Sequence, residues 1–317
     1  GDIVYSSRKA APGLVGFQFP CRKCLPCRLN NAAEKAIRCV HEAQMHDGNI
    51  FLTLTYDAEH LESDKLIYKD FQLFMKSLRK RKETKVKESS LYLLSNEQER
   101  KELLEKSKIT YMVTGEYGEK NKRPHWHAII FNYYPEDAQV LRESETGETV
   151  YTSKELVKLW KRGMLEFGSV TMESAGYVAR YAAKKLVHGK DQEHDYHPLH
   201  KTSSRRGIGN SWIQKHWKHV FGNGFVVLPN GQQTKIPRYY VDWLKKNMPE
   251  EYFHYVRDVR EKIIQKAEKK ARKEEMEYLT EIFNNRGTGR RYPMKRKNVK
   301  EHCLQRKFKR LQENLKL

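Results

Sequence analysis

Two stretches of this chain carry residue types at spacings that suit metal and phosphate chemistry. The first is His125-Trp126-His127, followed by the apolar run Ala128-Ile129-Ile130-Phe131. Side chains at i and i+2 of a strand point to the same face, with roots about 7 Å apart, so two imidazoles there can converge on one divalent ion. Pro124 sets the entry to that strand and holds Arg123 extended. Two imidazoles fill only part of a cation's shell. Glu116, in Thr114-Gly115-Glu116-Tyr117-Gly118 on or just after the preceding strand, is brought alongside if the two strands pair antiparallel. A two-His-one-carboxylate set with open positions suits Mg²⁺ or Mn²⁺ bridging a phosphate oxygen.

The second stretch is Tyr177-Val178-Ala179-Arg180-Tyr181-Ala182-Ala183-Lys184-Lys185. On a helix, Tyr177, Tyr181 and Lys184 share one face. A phenol attacks a phosphodiester when the developing charge is neutralised, and the bond energy is kept in a 5′-phosphotyrosine link for rejoining. A second tyrosine permits a second cleavage while the first link persists, and a lysine one turn away steadies the phosphate or the phenolate. Taken singly, each stretch also reads as ordinary packing: strand histidines, and tyrosines on an amphipathic helix. Their joint presence about fifty residues apart favours the chemical reading.

The elements that must position these groups follow from periodicity. Alternating apolar and threonine residues in Phe51-Leu52-Thr53-Leu54-Thr55-Tyr56 predict a strand with one buried face. Strands are predicted over 109–115, 125–132 and 165–172. Helices are predicted over 28–45, 69–82, 154–161 and 173–186, and a charged helix over 251–284. Residues 83–108 read as a helical insertion or loop, 133–152 as a surface excursion, and 189–245 as irregular. The order lacks a strict strand–helix repeat, so an α+β fold with an antiparallel sheet backed by helices is expected.

These residues resemble the HUH superfamily of rolling-circle replication initiators. The strand motif is matched by 51–56, the His-hydrophobic-His motif by His125 and His127, and the Tyr-x-x-x-Tyr-x-x-Lys motif by Tyr177, Tyr181 and Lys184. More narrowly, Cys24-Leu25-Pro26-Cys27-Arg28, Arg123-Pro124-His125-Trp126-His127, Arg206-Gly207-Ile208-Gly209 and Pro237-Arg238-Tyr239-Tyr240 are similar to initiators of the small single-stranded DNA microviruses, the gokushovirus branch above all. The likeness runs over about residues 20–245. It implies an RRM-like antiparallel sheet with the metal on one face, Glu116 as third ligand, and nicking and rejoining of single-stranded DNA at a replication origin. It implies work in the cytoplasm of a bacterial host, beside a host helicase and polymerase. A plasmid relaxase or a transposase of the same chemistry, a noncatalytic basic DNA-binding protein and an RNA-binding module are the competing readings.

Charge agrees with a polyanionic partner. The 317 residues carry 61 Lys and Arg against 40 Asp and Glu, a net +21 that must lie on the surface. Basic clusters at 79–82, 120–123, 205–206 and 290–300 can track phosphates, and Trp126 and Tyr117 lie beside the site, where an aromatic ring can stack on bases. Trp126 alternates with the histidines, which points it to the core. No run of about 18 apolar residues occurs and no secretory pattern opens the sequence, so no membrane is expected. Of the five cysteines, Cys21, Cys24, Cys27 and Cys39 crowd near one end. That set, with His41 as an alternative to Cys39, suits a structural Zn²⁺, with reduced thiols or an iron–sulfur cluster as alternatives. The expected division is 1–48, an arm with the cysteines and a helix; 49–190, the endonuclease domain; 191–245, a basic irregular extension; and 246–317, a basic helical tail.

Overall fold

The computed structural model describes residues 24–61, 63–118, 123–144, 147–184, 199–203, 207–286, 288 and 293–313; of 25, 180–184, 296, 297, 308 and 311–313 it describes the backbone only. The chain forms two compact units: Asn31–Lys215, and Gly1–Asn30 together with His216–Leu317.

The first unit is built on a seven-stranded sheet. Its strands are β1 (Asn49–Thr55), β2 (Thr110–Tyr117), β3 (Pro124–Phe131), β4 (Ala138–Glu143), β5 (Thr149–Ser153), β6 (Leu165–Gly168) and β7 (Leu199–Thr202), in the spatial order β4-β5-β6-β1-β3-β2-β7. Every neighbouring pair is antiparallel. The central four, β6-β1-β3-β2, interleave two split β-α-β units, closed by α2 (Tyr68–Glu88) and α5 (Lys154–Trp160). The predicted α+β class with an antiparallel sheet flanked by helices is what the structure shows.

Strand alternation divides the residues between two faces. Ile50, Leu52 and Leu54 of β1, with Val113, Trp126, Ala128 and Ile130, form one buried face. Phe71, Phe74, Met75 and Leu78 of α2, spaced at helical intervals, and Leu156 and Trp160 of α5 cover it. Each such fully buried side chain contributes about 1.5–3 kcal/mol. The opposite face has a second apolar cluster at one end. There Ala32, Ala36, Cys39 and Val40 of α1 (Leu25–Ala43) and Ala175, Val178 and Ala179 of α6 (Met172–Lys184) pack on Met112, Ile129 and Phe131. Small residues on both helices let them lie close to the sheet. The other end of this face keeps its polar side chains.

Two loops secure that arrangement. Gly163, at φ +144°, allows the chain to pass beneath β1, where a Cβ would meet Thr55 O at 2.6 Å. Thr171 and Ser174 cap α6 reciprocally: each side-chain oxygen accepts from the other's backbone N–H, at 3.2 and 2.8 Å.

Two expectations are corrected. Residues 138–153 are not a mere surface excursion. They form the β4–β5 hairpin that extends the sheet, and β4 is exposed along most of its length, so no buried face marked it. The 189–245 stretch is not irregular where described. It holds β7, α7 (Asn210–Asn223), the hairpin β8–β9 (Val226–Val227, Gln233–Thr234) and α8 (Arg238–Asn247). Lys and His residues interrupt α7 and hide its apolar stripe. Within 83–108, the helical alternative is correct: α3 is Ser90–Leu94 and α4 is Glu97–Lys106, the latter with an Asn96/Glu99 capping box.

In the second unit, α9 (Pro249–His254) passes through a π-helical turn at Tyr255–Arg260 into α10 (Glu261–Asn284), and α11 is Arg296–Glu313. Lys300 pairs with Glu274 at 2.7 Å and Lys295 with Glu275 at 3.7 Å between the last two helices. Exposed pairs of this kind contribute little.

Candidate active site

The register of the central strands assembles the polar end of the sheet. Thr53 and Thr114 flank His127, and Thr55 and Glu116 flank His125, all in direct cross-strand register and therefore on one face. Glu116 reaches diagonally: its Oε1 is 2.6 Å from His127 Nε2. The same oxygen accepts from the Tyr177 hydroxyl of α6 at 3.0 Å. The Tyr177 ring meets the His127 ring edge-on at 5.0 Å, and Phe51 lies parallel to the imidazole at 6.1 Å. The His127 and Glu116 side chains are only 11% and 13% exposed. In so dry a place a charge-assisted hydrogen bond is about twice as strong as a neutral one.

Both ring nitrogens of His127 are engaged. An imidazole that donates from Nε2 to the Glu116 carboxylate can accept at Nδ1 from the Thr53 hydroxyl, 3.2 Å away. Were a cation to take Nε2, the hydrogen would move to Nδ1 and Thr53 would become the acceptor. Thr53 supports either state.

His125 is different. Among the described residues its buried Nδ1 has no hydrogen-bond partner. Burial, then the adjacent His127, lowers its pKa from the ordinary value, so it stays neutral and able to donate a lone pair. Gly118 lies against it: a Cβ there would stand 3.1 Å from His125 Cε1. Gly118 N–H donates to Arg123 O at 2.9 Å, which ties the ends of β2 and β3 together.

The donor chemistry fits a hard divalent cation: two imidazoles, a carboxylate and an orphaned, buried ring nitrogen. Among the described residues, however, no three His, Cys, Asp or Glu side chains stand in ready coordination geometry. The reason is visible in the His127–Glu116 hydrogen bond, which aims the two donors at each other. A cation would replace the proton they share.

The remaining sequence-predicted residues are distributed as follows. Tyr181 and Lys184 lie one and two turns beyond Tyr177 in α6, with side chains outside the described residues. Trp126 is fully buried on the opposite face and donates to the Tyr56 hydroxyl at 3.0 Å, so it is core. Tyr117 is not beside the histidines either. It is in register with Pro124, on the Trp126 side, and its hydroxyl accepts from Leu66 N–H at 2.9 Å. Cys21 is outside the described residues. Cys24 and Cys27 are half-buried, but Cys39 is not at their side. It lies twelve residues beyond Cys27 in α1, a rise of about 18 Å. Its Sγ is 3.7 Å from Met112 Sδ in the core, and burial pushes its thiol up to about 12. His41, its alternative, is buried and stacked on Trp212 at 3.6 Å. Of the basic clusters, Arg79 donates to Ile109 O and Arg81 pairs with Glu155 at 2.6 Å, while 120–122 and 205–206 are outside the described residues.

Thr53, Phe51 and Gly118 were not singled out by their chemistry. The signal was present: Phe51, Thr53 and Thr55 are the alternate residues of a strand whose other set is wholly aliphatic.

Residues 49–186 match the family model for replication-associated proteins of the ORF2 type, a span that contains every element of this site. The chain is 54% identical, over its whole length and 96% of the relative, to "Replication-associated protein VP4" of Bdellovibrio phage phiMH2K. It is 30% identical over 80% of its length to 76% of "Replication-associated protein ORF2" of Spiroplasma virus 4. It is 31% identical over 74% of its length to 55% of "Replication-associated protein ORF4" of Chlamydia phage 1. No solved structure matches.

Proposed function

The chain belongs to the phage replication-associated proteins, and from that premise we propose that it is an HUH-type replication initiator: an endonuclease and strand transferase that nicks single-stranded DNA at the phage origin and rejoins it. The observation that carries this reading is the approach of the Tyr177 hydroxyl to Glu116 Oε1, at 3.0 Å, with His127 on the same carboxylate oxygen. A nucleophile and a proton acceptor stand within hydrogen-bond reach, and a third group orients the acceptor.

In the proposed step the Tyr177 oxygen attacks phosphorus. Its proton passes to Glu116, the Tyr–O–P bond forms, and the bond to the 3′-oxygen breaks. The 3′-oxygen takes up a proton from solvent water and leaves as a hydroxyl; the 5′-phosphate stays on the enzyme. Rejoining is the reverse, with a 3′-hydroxyl attacking and Glu116 returning the proton to the phenol. Tyr181 takes the second cleavage, and Lys184 steadies the charge. His125, His127 and Glu116 would hold Mg²⁺ or Mn²⁺, which when bound neutralises charge on the phosphate. Thr53, bonded to His127 Nδ1, would orient the ring for that ligation.

The phage relatives favour an origin as substrate over the targets of a relaxase or transposase. The sequence holds no Gly-x-x-x-x-Gly-Lys-Ser/Thr motif, so unwinding and synthesis fall to a host helicase and polymerase, in the cytoplasm of the infected bacterium. Among the described residues no helix is long and apolar enough to cross a membrane. The test is a nicking assay on single-stranded origin oligonucleotides with Mn²⁺. Wild type is expected to release the upstream fragment with a free 3′-hydroxyl and to keep the downstream fragment linked to protein through its 5′-phosphate. Binding without cleavage, across divalent metals and origin sequences, would reject the enzyme reading.

A further inference from the structure

A cavity of about 340 Å³ opens on the same sheet face as the histidines, toward the β7 edge. Its wall includes Lys35 and Arg38 of α1, Met112 of β2, His200 and Thr202 of β7, and Ile208. His200 and Thr202 are in register with Thr114 and Met112, so they share the face that carries His127 and Glu116. Thr114 lies between His127 and His200, in register with both, which sets the two histidines roughly 10 Å apart at their roots.

The wall is built for an anion. Among the described residues it contains Lys, Arg, His and Thr side chains and no carboxylate. Burial, then the neighbouring Arg38, lowers the Lys35 pKa from its ordinary value, a cost that a bound negative charge would relieve. Arg38 Nε–H donates to Ile208 O at 2.8 Å, which orients the guanidinium. The Thr114 hydroxyl lies 3.1 Å from Val178 O and 3.0 Å from His200 Nδ1, which holds the imidazole ring in place at the cavity wall. The loop that completes the wall is the Gly207-Ile208-Gly209 segment, with both glycines at positive φ (87° and 81°) and Gly209 N–H held by Glu42 at 2.7 Å. Part of the motif shared with the microvirus initiators thereby acquires a location and a use.

We propose that this cavity seats a backbone phosphate of the single-stranded DNA, outside the position that is cut, and so fixes the register of the strand across the sheet. The assignment rests on the proposed function for its ligand. Its test is one of binding alone, so failure to nick leaves it standing.

Affinity is measured for full-length Tyr177→Phe protein, with chelator present, on origin oligonucleotides that carry a neutral methylphosphonate at one position at a time. A single position outside the nick is expected to weaken binding in the Tyr177→Phe protein and to have no effect once Lys35→Met is added. Lys35→Met is expected to reduce the slope of log affinity against log salt by about 0.7, the loss of one contact to a single strand. Thr202→Val, at an exposed edge position, is expected to weaken binding of the unmodified oligonucleotide and to shrink the effect of the methylphosphonate at that same position. Equal methylphosphonate profiles and equal salt slopes with and without Lys35→Met and Thr202→Val would overturn the proposal. So would a small-anion site: inorganic phosphate or a deoxynucleoside monophosphate raising Tm only when Lys35 is present, with oligonucleotide binding unchanged by the variants.

Discussion

Tyr177, on a helix, donates its hydroxyl hydrogen to Glu116, on the sheet, across 3.0 Å. The carboxylate is therefore placed to take that proton as the phenol attacks. Glu116→Gln keeps the size and loses the charge. At saturating Mn²⁺, single-turnover nicking is expected to fall about 10²–10⁴-fold, with oligonucleotide affinity nearly unchanged. A rate within a few-fold of wild type would remove Glu116 from its role as base.

Thr53 touches His127 Nδ1 and Gly118 faces His125. Thr53→Val removes the acceptor that a cation-bearing imidazole needs, and Gly118→Ala pushes the second ring. Each is expected to weaken Mn²⁺ binding about 10- to 100-fold by calorimetry, with little change in Tm. Unaltered Mn²⁺ affinity in both would show that the histidines do not hold the cation.

Cys39 gives a pH dependence with a definite sign. Burial raises its thiol from 9.0 to about 12, so the unfolded state ionises first. Its contribution to stability is complete below pH 9 and is lost as pH rises toward 12. Cys39→Ala is expected to flatten the alkaline decline in urea stability. In the native protein at about pH 8, iodoacetamide should modify the exposed Cys303 and spare Cys39.

Trp126 separates core from nucleic-acid contact. Its indole N–H is bonded to the Tyr56 hydroxyl, which in turn donates to Asp70 at 3.0 Å. Trp126→Phe leaves that hydroxyl short of a donor and is expected to cost roughly 1–3 kcal/mol in urea unfolding. Oligonucleotide affinity should stay at the wild-type level, since the ring lies on the face away from the histidines.

The sequence made the site legible where period and chemistry coincide. His125 and His127 alternate along β3, the apolar set of β1 alternates with threonine, and Tyr177 falls on a short apolar helix; each pattern predicts its own geometry. Two kinds of feature escaped. Elements without a buried face, such as β4, leave no periodic trace. Interactions that depend on cross-strand register, such as Thr53 with His127 and Thr114 with His200, have no local signature, because the partners lie 74 and 86 residues apart. The cysteine spacing leaves the place of Cys39 open for a related reason. Cys39 sits on the core-facing stripe of a continuous helix, and the stripe decides where its thiol points.

The central claim is that one phosphate is reached by both the imidazole-bearing sheet and the phenol-bearing helix. Incubation with single-stranded origin DNA and Mn²⁺, followed by nuclease digestion and mass spectrometry of the modified peptide, tests it most directly. A nucleotide attached to Tyr177, lost in Tyr177→Phe and dependent on His125 and His127, is the predicted result. An undiminished adduct in a Tyr177→Phe/Tyr181→Phe protein would contradict it.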